Sequence, residues 1–364
     1  MECTMWLQSF LYIFIFINLI IADVGDECVP NNQIADGICT LINNCEVAIR
    51  SIKNKNYHSF ERCGFSGYTE IVCCPHTTDK FGPQLPDDIQ NSQRIADREC
   101  TKILKSKIVP LGQYIIGGDV SALGEFAHMV ALGFDRGEGY IFDCGGALVS
   151  NTYAITAAHC VVTKDMIEPS IVRGGVVEIG GKNFNEETDI RIRNVISHPE
   201  YTRRQKYHDI ALLRLEKPAK FSSTLNAICL YTSGEDPDRD LTITGWGKTS
   251  TSRDVRSDVL LKAKVSIVSR EKCSKNYTSD KWRKLPNGIT SGQLCAGDTE
   301  GLHDTCQGDS GGPLQLTEPI YRLVGITSFG SGCGTPVPGV YTRISHYLDW
   351  IESIVCTITA NRCQ

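Results

Sequence analysis

Three residues of this 364-residue chain have types and surroundings suited to nucleophilic chemistry: a serine set among glycines, a histidine set among alanines, and an aspartate heading an apolar run. Acyl transfer needs a hydroxyl to attack, an imidazole to take its proton, a carboxylate to orient that imidazole, and N–H donors for the developing oxyanion. Gly-Asp-Ser-Gly-Gly-Pro at 308–313 places Ser310 where the chain can turn tightly and nothing bulky shields the hydroxyl or the neighbouring N–H groups. Thr-Ala-Ala-His-Cys at 156–160 surrounds His159 with small residues and ties it down through Cys160. Asp209 opens the strand-like run Ile210-Ala211-Leu212-Leu213, where a charge entering a buried strand needs a partner. Taken singly, each has an ordinary structural role as a core imidazole, a strand-end cap or a turn residue.

The elements that must position these residues are short. From residue 115 onward, β-rich segments at 146–155, 189–196, 210–215, 241–246 and 321–329 alternate with Gly, Pro, Asn and Asp clusters, which predicts an all-β sandwich or barrel. Helical spacing of Tyr347, Leu348, Ile351, Ile354 and Val355 within 344–358 predicts a C-terminal helix packed on it. Residues 75–98, rich in Pro, Asp, Gln, Asn and Thr, read as a linker. Before the linker, Cys28, Cys39, Cys45, Cys63, Cys73 and Cys74 crowd into a stretch too poor in large apolar residues to build a core unaided. Disulfides must hold it, and six cysteines allow fifteen pairings, although adjacent Cys73 and Cys74 must reach different partners.

The apolar run at 10–21, broken only by Asn18, is too short to span a bilayer and reads as a signal-peptide core, with Ala22 offering a cleavage site. Its flank departs from the usual pattern, with Glu2 and no Lys or Arg, and an uncleaved anchor is the alternative. Cys3 leaves with the leader, and an even sixteen of the 17 cysteines remain, which fits an oxidising, secreted destination. Lys plus Arg is 37 and Asp plus Glu is 42, so 37 − 42 gives −5, against nucleic-acid binding, which wants a basic face.

Together, TAAHC at 156–160, DIALLRL at 209–215 and CQGDSGGP at 306–313 resemble the chymotrypsin-like serine proteases, in that family's His, Asp, Ser order. The resemblance implies a double β-barrel, with His159 as general base, Asp209 as its orienter, Ser310 as nucleophile, and the Gly308 and Ser310 N–H groups as oxyanion hole. It places Asp304 at the base of a trypsin-like primary pocket whose walls Gly330 and Gly339 leave open, so Arg or Lys is expected before the scissile bond. Phe329 stands where the family usually has Trp, which leaves that pocket intact and alters the adjoining subsite. By the same resemblance Cys144 pairs with Cys160, Cys273 with Cys295, Cys306 with Cys333, and Cys100 with Cys229 as a tether to a pro-segment. A further family bridge is missing at both of its places, near Leu241 and Leu316. Cys356 and Cys363 are unassigned, and continuous helix between them would hold them roughly 10 Å apart, so the helix must end before they can bond.

Ile115-Ile116-Gly117-Gly118 matches the N-terminus that cleavage frees in this family, with Asp309 as the partner of its amine. Tyr114 precedes the cut, so an enzyme with the Asp304 pocket cleaves it poorly, and an upstream activating protease of different preference is implied. Cleavage at Lys107-Ile108 is the alternative, but it exposes a start without Gly-Gly.

The six N-terminal cysteines, the linker and the trypsin-like domain resemble the arthropod clip-domain serine proteases, of the snake-like subgroup. That resemblance pairs Cys28 with Cys73, Cys39 with Cys63, and Cys45 with Cys74. The expected organisation is signal peptide 1–22, clip domain 28–74, linker and activation segment 75–114, and protease domain 115–364. The expected activity is a secreted zymogen acting on another zymogen in an immune or developmental cascade, with a serpin-type inhibitor compatible with it. Alternatives are a non-catalytic protease-homologue cofactor and a venom protease. Asn276-Tyr277-Thr278 fits a glycosylation acceptor. Some relatives bind calcium in a surface loop, but Gly180-Gly181-Lys182-Asn183 stands where the first carboxylate is expected, so no metal and no cofactor are expected.

Overall fold

The computed structural model describes residues 24–29, 37–45, 48–49, 60–66, 69–75, 94–105, 120–163, 165–247, 257–278, 282–297, 310–330, 337–357 and 362–363. The chain divides into two compact units, residues 1–84 and 85–364.

The first unit is a four-stranded antiparallel sheet in the order β1 (Glu27–Cys28), β2 (Gly37–Leu41), β4 (Thr69–Pro75), β3 (Arg62–Ser66). Its bonds are Cys28–Cys73, Cys39–Cys63 and Cys45–Cys74. Successive strand residues point to opposite faces, so neighbouring Cys73 and Cys74 on β4 reach different partners. Among the described residues, its apolar packing centres on a small cluster around Cys45, Ala48 and Val72, and the three bridges add stability that a small core lacks.

In the second unit, α1 (Ile95–Lys105) lies within the segment whose composition reads as linker and activation peptide. Ala96, Cys100 and Ile103 recur at helical spacing and form its inner face. Cys100 bonds Cys229, Ala96 N–H donates to Glu352 Oε1 at 3.0 Å, and buried Asp97 accepts from Thr232 Oγ1 at 2.9 Å beside Arg322 at 3.7 Å.

β5 (Met129–Asp135), β6 (Tyr140–Leu148), β7 (Tyr153–Thr156), β8 (Ile171–Gly174), β9 (Asp189–Ser197) and β10 (Ala211–Leu215) form a closed antiparallel barrel in the order β10-β7-β6-β5-β8-β9. The β-rich stretch at 146–155 is thus a hairpin, the end of β6 turning into β7 through Ser150, whose Oγ accepts the Thr152 and Tyr153 N–H groups. A second barrel runs β16-β15-β12-β13-β14-β17, from β12 (Leu241–Gly245), β13 (Leu261–Val268), β14 (Gln293–Gly297), β15 (Pro313–Leu316), β16 (Arg322–Phe329) and β17 (Gly339–Arg343). Pairing of β16 with β17 closes it, and β11 (Cys229–Leu230) adds in parallel to β16. Leu241 and Leu316 are both buried in this barrel's core, next in register to the Thr242–Gln315 pair, so apolar packing fills the place of the missing bridge.

The C-terminal helix is shorter than its periodicity predicts: a 3-10 turn at Ile344–His346 precedes α3 (Leu348–Val355). Leu348, Ile351 and Val355 pack into the core with Leu212 and Leu213, each burial stabilising by roughly 1.5–3 kcal/mol. The helix stops at disulfide-bonded Cys356, and Cys363 lies opposite it in the two-residue ladder of β18 (Cys356–Thr357) and β19 (Arg362–Cys363). No described helix is long and apolar enough to cross a membrane.

Candidate active site

His159 comes from α2 (Ala158–Val161), a single turn that follows β7 directly. Ala157 and Ala158 are fully buried, so larger side chains have no room there, and Cys160 is bonded to Cys144 on β6. Asp209 sits just before β10, with 2% of its surface exposed. Its Oδ1 accepts the His159 backbone N–H at 2.8 Å and its Oδ2 accepts from His159 Nδ1 at 2.8 Å. The second barrel closes around the same residue: Ser328 Oγ of β16 donates to Oδ2 at 2.5 Å, and Thr342 Oγ1 of β17 donates to the Asp209 carbonyl at 2.8 Å.

Burial alone pushes the Asp209 pKa up, but the charge of His159 and the hydrogen bonds from His159 and Ser328 together outweigh it, leaving the carboxyl below its ordinary range. An ionised acceptor at Nδ1 keeps the proton on that nitrogen and leaves Nε2 with a lone pair, the form in which an imidazole accepts a proton.

Ser310 stands on the turn before β15 and reaches across to the first barrel, its carbonyl accepting the Gly145 N–H at 2.9 Å. Gly311 has φ +78°, and a Cβ there would lie 2.1 Å from Thr156 Oγ1, 2.6 Å from the Gly145 carbonyl and 3.2 Å from Ala157 N. Only glycine fits that conformation and that space. Thr156 and Ala157 are the residues leading into His159, so the serine turn and the histidine turn are in van der Waals contact through Gly311. Thr327 fixes the turn from the other side, its carbonyl accepting from Gly311 and its N–H donating to Gly312, both at 2.9 Å.

The other expected site residues divide in two. Gly330 and Gly339 are neighbours, a Cβ on Gly330 coming within 4.0 Å of the Gly339 Cα, an ordinary van der Waals contact. Tyr114, Ile115, Asp304, Cys306, Gly308, Asp309 and Cys333 lie outside the described residues. Cys273–Cys295 is bonded, and Asn276 is exposed. Phe329 lies edge-on to Tyr277 and tilted against Trp282, and Lys206 Nζ stands 5.2 Å from its ring centre. Phe329 thus lies in an aromatic cluster topped by a cation.

Ser328 and Thr342 are functional neighbours that sequence reasoning missed. The signal available for Ser328 was a hydroxyl at the end of the apolar run Leu323-Val324-Gly325-Ile326-Thr327, since a buried hydroxyl needs a partner. The loop between β8 and β9 closes on an internal cation. The Arg173 guanidinium donates to both Asp189 oxygens at 2.6 and 2.7 Å and to the carbonyls of Ile179, Gly181 and Asn183 at 2.6–2.8 Å.

Residues 115–351 match the Trypsin family profile. The chain is 36% identical over 344 residues to serine protease snk of Drosophila melanogaster, spanning 87% of this chain and 76% of that protein. It is 33% identical over 362 residues to CLIP domain-containing serine protease B8 of Anopheles gambiae, spanning 90% and 85%. Among solved structures, neuropsin, a serine protease expressed in the limbic system of mouse brain, aligns with a TM-score of 0.53 and 33% identity over 66% of this chain and 99% of that one.

Proposed function

This chain belongs to the trypsin family of serine proteases, with arthropod clip-domain serine proteases among its relatives, and from that premise we propose that it is a secreted zymogen, activated by cleavage between Tyr114 and Ile115, that hydrolyses peptide bonds after Arg or Lys. Its substrate is another zymogen of an extracellular cascade, immune or developmental. The observation that carries the catalytic reading is the buried Asp209 carboxylate, bonded twice to His159 and once to Ser328, at a barrel junction that also holds Ser310.

In this mechanism His159 Nε2 takes the Ser310 hydroxyl proton as Oγ bonds to the scissile carbonyl carbon, and Asp209 stabilises the imidazolium that forms. The carbonyl electrons become an oxyanion held by the Gly308 and Ser310 N–H groups. Collapse expels the amine, which takes the proton back from His159 and leaves an acyl-serine. Water attacks by the same route and regenerates the hydroxyl. Asp304 pairs with the substrate cation between Gly330 and Gly339, and the freed Ile115 amine pairs with Asp309.

The organisation that goes with this reading is a leader at 1–22, a docking clip domain at 28–74, an activation segment at 75–114 and the protease domain at 115–364. The partners are an upstream protease that tolerates Tyr114, a downstream zymogen and a serpin-type inhibitor. Exposed Asn276 is the proposed glycan acceptor. The Cys100–Cys229 bond keeps the activation segment attached after the cut.

The test is a full chain with an engineered recognition site ending at position 114, assayed on peptides with Arg, Lys or Phe before the cleaved bond. Activity is expected only after cleavage, with Arg or Lys preferred, in a product that runs as one species without reductant and two with it. A correctly cleaved, folded sample without activity would refute the reading.

A further inference from the structure

The segment joining β9 to β10, residues 198–210, carries His198 and His208, and these two imidazoles stack with ring centres 5.0 Å apart and planes 12° from parallel. Glu200 Oε2 stands 3.7 Å from His208 Nε2, and one ligand atom from each of His198, Glu200 and His208 lies within 4.8 Å of the others. The catalytic reading uses none of the three. His208 has φ +54°, a left-handed conformation that non-glycine residues rarely adopt and that clusters at functional positions. Its other ring nitrogen, Nδ1, is 3.2 Å from the Tyr347 hydroxyl, and Tyr347 and Trp350 wall His198 at 5.3 and 5.1 Å. The cluster thus has an apolar aromatic wall, one polar partner orienting an imidazole from behind, and a carboxylate at its open side.

We propose that His198, Glu200 and His208 form a binding site for a divalent transition metal, Zn2+ in an extracellular setting, with water completing the coordination. Two imidazoles and one carboxylate are a donor set that zinc takes with a position left open. Zinc–ligand bonds of about 2.0–2.1 Å place tetrahedral donors about 3.3 Å apart, so the 4.8 Å spacing must contract. Glu200, whose side chain is 70% exposed, supplies that movement by rotating. The metal must lie in the plane of both imidazoles, so closure also swings one ring out of the stack and gives up the 3.3 Å bond from the Glu200 N–H to His198 Nδ1. Tyr347 then fixes the His208 ring as an outer partner.

The site is coupled to Asp209 through the backbone. His208 immediately precedes Asp209, and the His198 N–H donates to the carbonyl of Ile210, immediately after it, at 3.0 Å. A dication held by both imidazoles favours the Asp209 anion and opposes the imidazolium that must form on His159, so occupancy slows hydrolysis. This consequence rests on the catalytic reading above, whereas metal binding does not.

The two are tested separately. Calorimetric titration of the uncleaved full chain, made without a polyhistidine tag, with Zn2+ is expected to show one saturable site. Co2+ substituted there should give the visible absorption of a tetrahedral nitrogen and oxygen site. Glu200→Gln, at an exposed position that leaves the fold intact, and His198→Asn should each weaken binding at least ~10-fold. Absence of saturable binding, or binding unchanged in both variants, would overturn the site. In the cleaved form, Zn2+ should lower turnover of the native chain and spare Glu200→Gln. Binding with unchanged turnover would overturn the coupling to Asp209, and a chain inactive without any metal would instead indict the catalytic reading.

Discussion

Asp209 is held by four hydrogen bonds that come from both barrels, and its two side-chain neighbours are separable by substitution. Asp209→Asn keeps the shape but turns an acceptor into a donor, forcing the proton onto the wrong nitrogen of His159; kcat of the cleaved form should fall about 10⁴-fold with KM little changed. Ser328→Ala removes one bond to a charged acceptor, an interaction worth about 1.5–3 kcal/mol, yet leaves both His159 bonds in place. Its expected loss is about tenfold, since about 1.4 kcal/mol corresponds to one decade. Steady-state kinetics of the two variants side by side checks the ranking, and equal losses would contradict it. His159, Asp209 and Ser310 were legible as side-chain types in characteristic surroundings. Ser328 and Thr342 were not, because a strand hydroxyl becomes a ligand only once the strands of a second barrel are paired and closed over the aspartate.

At the scale of elements, Arg173 and Asp189 form a buried pair with side chains 3% and 0% exposed, and three carbonyls complete the guanidinium's shell. Removing one partner strands the other, so Arg173→Ala should destabilise the folded chain by about 3–5 kcal/mol, read as a shift in denaturant midpoint. The loop geometry draws on this guanidinium, and calcium should leave the melting temperature unchanged; a calcium-dependent rise would refute that. Sequence reasoning gave an expected absence of metal there but could not supply Arg173, since backbone carbonyls carry no residue signature. Helix α1 was legible and missed: Ala96, Cys100 and Ile103 carry its spacing, but the surrounding Pro- and Asp-rich composition absorbed it into a linker. The C-terminal helix was read too long because its apolar spacing runs on past Val355, where the ladder of Cys356 and Cys363 ends it.

Across the whole molecule, the two barrels share a buried polar link besides the active site. His128, just before β5, bonds Gln315 of β15 at 2.5 Å, and Gln315 donates to Thr244 of β12 at 3.1 Å. Burial, only partly offset by the Gln315 bond, lowers the His128 pKa from 6.5 to about 4. The unfolded chain therefore binds a proton between those values that the folded chain does not. The stability His128 contributes is fully present above pH 6.5 and is lost as pH falls towards 4, at about 1.4 kcal/mol per pH unit. Denaturant midpoints of the native chain and of His128→Gln, compared from pH 7.5 to 4.5, should diverge, with the variant the less sensitive to acid; parallel curves would contradict the assignment. Strand spacing made an all-β sandwich or barrel legible and the resemblance carried by the three motifs implied the double barrel, while its closure, through β16 with β17 and β9 with β10, rests on long-range pairings that no local pattern encodes.

The central claim is that Ser310 is a nucleophile armed by His159 and Asp209 and released by cleavage before Ile115. It is tested most directly by treating the chain, before and after engineered cleavage, with a serine-directed fluorophosphonate and mapping the adduct by mass spectrometry. One adduct per chain, on Ser310 alone, formed rapidly only after cleavage and slowed strongly in Asp209→Asn, is the expected result. No adduct on a folded, cleaved chain, or an adduct on another residue, would contradict it.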